Sequence, residues 1–232
     1  DQTVGAMVVA FVVAMLLAPA SVQDIADLTY HAFDVADRYR TPVMMLSDGM
    51  MGQMKEPVVF PERIAELPQK EWALGGRGEG PSRYLCSLIL DAMEMERHNW
   101  KLVRKYNEIE KNETRFEEYM TDDAEIIVIA YGTTARIAKG AIKRVRKDGV
   151  RAGMIRPITL WPFPKQVLND MASRVKTFVV FEMSTGQMLE DVQIALQGKA
   201  DIVFHGRPGG VVPTPVEFAR IIYREYQKTA KS

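Results

Sequence analysis

Cysteine is almost absent from this chain. One residue, Cys86, occurs among 232, which excludes an internal disulfide framework. It equally excludes a cysteine-ligated iron–sulfur cluster or a four-cysteine zinc site built from this chain alone. Histidine is nearly as scarce. His31, His98 and His205 stand far apart, and none falls in an HExxH-type spacing. Charge of one sign is missing too: 30 basic and 30 acidic residues cancel, so no global field draws in nucleic acid or an anionic membrane. There is no apolar run of the roughly 18–20 residues needed to span a bilayer. The 13-residue stretch Ala6–Ala18 falls short. It also lacks a basic start, since Asp1 is acidic and the first Lys or Arg is Arg38, so it reads as a buried strand centred on residues 8–13 rather than a signal peptide. The sequence has no P-loop, no G-x-S-x-G elbow and no G-x-G-x-x-G after a strand. The lone thiol fits a reducing, cytoplasmic compartment.

What is present is strand–helix alternation. Ser21 is placed to cap a helix over 22–39 with Asp24 in its first turn, and Thr41-Pro42 ends it. Val43–Leu46 reads as a parallel strand stopping at Ser47-Asp48-Gly49, which completes a βαβ unit. Four prolines and GGRGEG (75–80) then break every period over 57–82. Asp91–Tyr119 has Met95, Leu102, Tyr106 and Ile109 on one face and predicts a long amphipathic helix, broken near Asn112. From Asp123 the pattern predicts strands at 125–131, 150–155, 176–182 and 202–204. Helices are predicted to follow from Thr133 or Thr134, over 163–174, over 188–196 and after the Thr214 cap. The fold class is α/β with a parallel-rich sheet.

In such sheets ligands sit at the carboxyl edge. Asp48 (LSDGMMGQ) and Glu182 (FEMSTGQ) both end strands and are both followed by Met and Gly-Gln within a few residues. Gly49, Gly52, Gln53, Gly186 and Gln187 are therefore candidates beside them. A carboxylate in this position is also a common turn cap. Gly132 and Thr133 open a helix, where free amides favour an anion, although a plain helix cap is the simpler reading. His205 ends the last strand, at the edge where such sheets hold a ligand or partner, and Arg207 follows it, placed to bind an anion or to rim a subunit interface. Cys86, His31 and His98 read as structural.

The stretches LAPASVQD (17–24), RTPVMMLSDGMMGQMKEPV (40–58), TDDAEIIVIAYGTTAR (121–136), RPITLWPFP (156–164), FEMSTGQMLEDV (181–192) and GGVVPTP (209–215) resemble the alpha subunit of 2-oxoacid:ferredoxin oxidoreductases. Within that family the likeness is greatest to the branched-chain, 2-oxoisovalerate-specific members. RPITLWPFP is also similar to the carboxyl-terminal domain of transketolases. The resemblance implies a partial pyrimidine-binding, thiamine-diphosphate-type domain (1–56), then a Pro/Gly-rich arm and long helix (57–122). A transketolase C-terminal-like domain (123–232) would follow. It implies thiamine diphosphate and Mg shared with a beta subunit, iron–sulfur clusters only in partner subunits including a gamma subunit, coenzyme A as co-substrate and ferredoxin as acceptor. Neither nucleic acid nor membrane is implied.

The chain departs from the family pattern in its first 15 residues. The half-domain that would carry the glutamate activating the cofactor is not recognisable, so a gap or missing segment near the start is expected and no residue is assigned that role. Ser47-Asp48-Gly49 lacks the leading Gly of the magnesium pattern, so no metal ligand is assigned. The alternatives are a 2-oxoglutarate-specific member of the family and a non-catalytic, flavodoxin-like docking module.

Overall fold

The structure, a computed structural model, describes residues 14–60, 70, 72–73 and 88–229. The expected strand at 8–13, the glycine-rich 75–80 segment and Cys86 lie outside them. Strand β1 (Met15–Leu17), helix α1 (Val22–Tyr39) and strand β2 (Val43–Met45) form the expected βαβ unit, its two strands parallel with Leu16 opposite Met44. The Ser21 hydroxyl accepts from the Asp24 amide at 2.9 Å, as its capping position predicts. The helix closes at Arg40, which adopts the left-handed conformation (φ 46°), and Pro42 prevents its continuation.

After β2 the chain makes a short helix that the glycine-rich sequence did not advertise, α2 (Gly49–Gln53). The long helix α3 (Ala92–Glu113) starts at Asp91, whose carboxylate accepts from the Glu94 amide at 2.9 Å. Its last turns dock on α1 through Tyr106 and Ile109, among Val35, Tyr39, Met15 and Leu17. Glu113, buried at its end, accepts from Arg38 at 2.9 Å and from the Tyr39 hydroxyl at 3.0 Å, with His31 Nε2 at 3.4 Å. A buried carboxylate needs such partners, and this arrangement accounts for His31 structurally. Burial, aided by the Arg115 charge, holds the His31 ring below its ordinary pKa.

Helix α3 stops at Glu113, so the helix expected to reach Tyr119 is shorter, and residues 116–119 form strand β3 (Phe116–Tyr119). Alternating exposed and half-buried residues in FEEY suit an edge strand on an otherwise parallel sheet. The remaining elements are β4 (Ile126–Ile129), α4 (Gly132–Lys147), β5 (Ala152–Pro157), β6 (Thr159–Trp161), α5 (Lys165–Met171), β7 (Thr177–Glu182), α6 (Gln187–Leu196), β8 (Asp201–Gly206) and α7 (Pro215–Thr229). The second sheet has the order β3-β5-β4-β7-β8, with β3 antiparallel and the rest parallel.

Strands β4, β5 and β7 are buried along their whole length, which explains runs such as IIVI without alternation. One face packs on α4 and α7 through Ile126, Val128, Ala138, Ile142 and Ile222. The Phe181 and Phe218 rings stack there, centroids 3.6 Å apart. The other face packs on α5 and α6 through Ile127, Ile129, Leu168, Phe178 and Val192.

Two features tie the sheets together. Strand β3 precedes the expected boundary at 123 yet pairs with β5. Strand β6, not anticipated as a separate element, leaves the second sheet and pairs antiparallel with β1, Trp161 opposite Leu16. Arg156, only 5% exposed, reaches Asp24 on α1 at 2.5 Å and Glu117 on β3 at 2.8 Å. Among the described residues no helix is long and apolar enough to cross a membrane.

Candidate functional site

Strand order decides where a ligand could sit. From β4 the chain turns to β5 on one side, while β7 leads to β8 on the other. The carboxyl ends of β4 and β7 therefore flank the switch point of the second sheet, the position at which open α/β sheets hold ligands. A cavity of about 190 Å³ opens there. Tyr131–Thr134 after β4 and Met183 after β7 line it, and Leu46, Ser47 and Asp48 come to it from the end of β2 in the first sheet. Two sheets thus present strand ends to one crevice.

Asp48 is the hinge of this arrangement. Its Oδ1 accepts from the Met51 amide at 2.8 Å and caps α2. Its Oδ2 lies 3.4 Å from the Thr133 amide, at the amino-terminal end of α4. The anion anticipated at Gly132–Thr133 is therefore supplied by the chain itself. The helix begins at Gly132, capped by Tyr131 without a side-chain bond, rather than at a Thr133 or Thr134 cap. Thr134 instead donates back to the Tyr131 carbonyl at 2.6 Å. Gly132 has φ 57°, a left-handed conformation that a side chain resists, and a β-carbon there would stand 3.6 Å from Asp48 Oδ2. The Thr133 hydroxyl, on a residue only 2% exposed, has no hydrogen-bond partner. Burial, reinforced by the negative charges of Glu182 and Asp48, raises the Tyr131 phenol above its ordinary pKa.

Glu182 takes the simpler of its two roles. Its carboxylate accepts from the Ser184 hydroxyl at 2.7 Å and the Met188 and Leu189 amides at 3.1 and 2.9 Å, closing the β7–α6 turn. Gly186 makes that turn at φ 116°, where only glycine is unstrained. Gln187 is exposed and reaches the Thr185 hydroxyl at 3.3 Å. Gly49, Gly52 and Gln53 lie exposed on α2. His205 lies at the carboxyl end of β8, as its sequence position predicts, and with Arg207 it forms a separate group. Both approach the same Glu217 oxygen, at 3.1 and 2.8 Å, and His205 stands edge-on to Phe181. The candidates therefore fall into four places: Asp48, Gly132 and Thr133 at the crevice, Gly49, Gly52 and Gln53 on the exposed helix α2, Glu182 with Gly186 and Gln187 in the β7–α6 turn, and His205 with Arg207 at the β8 end.

Sequence reading passed over Tyr131, Met183, Arg156 and Arg136. Arg136 donates to Glu56 at 2.7 Å and to the Ala20 carbonyl at 3.3 Å, a second bridge between the lobes. Tyr131 was signalled only by its place directly before the Gly132 turn, and Arg156 only by heading the RPITLWPFP motif.

The crevice does not suit a diphosphate. Among the described residues its lining includes no Lys or Arg, and its helix amides already face a carboxylate. Among the described residues no group of three or more His, Cys, Asp or Glu could hold a metal ion.

Residues 6–121 match the family profile described as pyruvate flavodoxin/ferredoxin oxidoreductase, thiamine diphosphate-binding, and residues 124–218 match pyruvate:ferredoxin oxidoreductase core domain II. The chain is 46% identical over 197 residues to ketoisovalerate oxidoreductase subunit VorB of Methanothermobacter marburgensis, covering 84% of this chain and 56% of that protein. It is 32% identical over 235 residues to 2-oxoglutarate synthase subunit KorA of Methanothermobacter thermautotrophicus, covering 90% and 62%. The chain thus spans little more than half the length of these relatives. The structure of a 2-oxoglutarate:ferredoxin oxidoreductase from Magnetococcus marinus, with 2-oxoglutarate, coenzyme A and succinyl-CoA bound, superposes with a TM-score of 0.74 at 19% identity. That match covers 92% of this chain and 42% of the other, and it is a likeness of fold.

Proposed function

The chain belongs to the pyruvate flavodoxin/ferredoxin oxidoreductase family, and from that membership we propose that it is a subunit of a thiamine-diphosphate-dependent 2-oxoacid:ferredoxin oxidoreductase acting on 2-oxoisovalerate. The observation that carries the substrate is the higher identity to a ketoisovalerate oxidoreductase subunit, 46% against 32% for a 2-oxoglutarate synthase subunit. The reaction oxidises the 2-oxo acid, releases carbon dioxide, transfers the acyl group to coenzyme A and hands the electron pair to ferredoxin one electron at a time.

The diphosphate and its Mg belong to a beta subunit in this reading, because the residues at the crevice do not fit them. Iron–sulfur clusters belong to partner subunits in this reading, and the single cysteine of these 232 residues could not ligate one. The division of labour along the chain follows: 1–56 as the remainder of a pyrimidine-binding domain, 57–122 as arm and helix, and 123–232 as the transketolase-like lobe. Strands β3 and β6 stitch these segments together. In this reading Asp48–Gln53 and Glu182–Gln187 shape the subunit interface or the cofactor and substrate channel near the beta subunit.

Reconstitution tests this. The chain, extended to the full length of its relatives and co-expressed with beta and gamma subunits, is expected to reduce a viologen dye with 2-oxoisovalerate only when coenzyme A is present. Dye reduction with 2-oxoglutarate alone would transfer the assignment to the other branch of the family. No reduction with any 2-oxo acid would end it.

A further inference from the structure

Helix α3 uses its two halves differently. Its last turns dock on α1 through Tyr106 and Ile109. Its first turns instead border a groove of about 400 Å³, where Ala92, Met95 and Val103 stand beside Ile89 and Leu90. Leu90, Met93 and Trp100 are more than half exposed. Apolar side chains gathered in this way mark a surface for another chain. The charges around them are sorted by sign. Asp91, Glu94 and Glu96 precede Trp100, whereas Lys101, Arg104 and Lys105 follow it. Arg97 is the exception, and it stands 3.8 Å from Glu94. Glu96 and Arg104 lie four residues before and after Trp100, so the three share one ridge of the helix. Both charged residues are exposed, and among the described residues neither has an ion-pair partner.

A ridge that reads acid, tryptophan, base is complementary to its own reverse. A two-fold axis at Trp100 sets Glu96 of one copy against Arg104 of the other, and the reverse, with the two indole rings meeting at the centre. Parallel pairing would set like charges opposite each other. A partner of uniform charge would match only one end of the ridge. Antiparallel helices also oppose their dipoles favourably, and a net charge of zero leaves no global repulsion between copies. Tryptophan is the residue type that most often anchors such contacts. We propose that the first turns of α3 form a self-association surface, on which a second copy of this chain docks its own α3 antiparallel about Trp100. The contact uses the same patch on both copies, so it closes at a dimer. It does not depend on the reaction that the complete enzyme carries out.

Sedimentation velocity of the 232-residue chain over a concentration series provides the test, with circular dichroism to confirm that each variant is folded. A monomer–dimer equilibrium is expected. Trp100→Ala is expected to abolish the dimer. Glu96→Arg and Arg104→Glu each replace two attractive pairs by two repulsive ones, and each is expected to weaken dimerisation about tenfold. Mixed in equal amounts, these two single variants present opposite charges to each other, and a heterodimer as tight as the parent dimer is expected. A chain that stays monomeric at every concentration overturns the pairing and leaves the groove to a partner subunit. A dimer that survives Trp100→Ala, or a mixture no more dimeric than its two components, overturns it equally.

Discussion

The second sheet covers both of its faces with its own helices, whereas the first is completed by a strand borrowed from the other lobe. In the second, β4, β5 and β7 are buried end to end between α4 and α7 on one side and α5 and α6 on the other. In the first, three strands of three residues each are described, and one of them, β6, comes from the carboxyl-terminal segment. The lesson is that the first lobe's geometry is set partly by the second. The crevice inherits that dependence, because Asp48 reaches it from one lobe and Thr133 from the other.

The comparison breaks most sharply in the second core. Phe178, fully buried between β7 and its helices, should cost about 3–5 kcal/mol when changed to Ala, read by urea denaturation. A loss below about 1 kcal/mol would mean that this lobe is not the rigid partner. Next comes the bridge. Arg156→Met leaves Asp24 and Glu117 without their shared cation, and a loss of about 2–3 kcal/mol is expected. The double variant with Asp24→Asn should recover part of it, since the two residues are in contact. Full additivity would show that the pair does not join the lobes.

Gly132→Ala probes the joint itself. Holding alanine at φ 57° should cost about 1–2 kcal/mol. The space at Asp48 Oδ2 is adequate, so the penalty would come from backbone strain rather than collision.

The smallest effect concerns pH. Burial of Asp24 works to raise its pKa, but the Ala20 amide and the Arg156 guanidinium outweigh it and hold the carboxyl below its ordinary value. A carboxylate with a depressed folded-state pKa contributes stability above its unfolded pKa of about 4 and loses it as pH falls through the folded value. Asp24→Asn should therefore be destabilised at pH 7 relative to the parent, with the difference fading below about pH 4. A gap that persists in acid would assign the effect to packing.

Much of this was legible in the chain. Ser21, Thr214 and Pro42 marked helix ends because capping and proline geometry are local. Unbroken apolar runs such as IIVI announced strands covered on both faces. The family was legible from long collinear motifs. Other features were not local. FEEY at 116–119 carries helix-compatible residues, and only pairing with β5 makes it a strand. TLW at 159–161 lies between prolines and becomes β6 because β1 offers an open edge. Asp48 and Glu182 looked alike in sequence, each a carboxylate before a glycine turn. Glu182 spends its oxygens on its own turn, whereas Asp48 keeps one for a helix 84 positions further along, counting from 48 to the start of α4 at 132.

Composition and periodicity by themselves determined the α/β class, the places of most strands and helices and the exclusion of a cysteine-bound cluster within these 232 residues, and the collinear motifs carried the resemblance to the family. Tertiary structure alone decided which strand ends face one another, that an aspartate from one lobe lies at a helix start in the other, and that the Thr133 hydroxyl is left unpaired. The reason is the range of the forces. Caps, turns and hydrophobic period act over a few residues and are written in neighbouring letters, whereas an aspartate meets a helix start 84 positions away only when distant segments pack together.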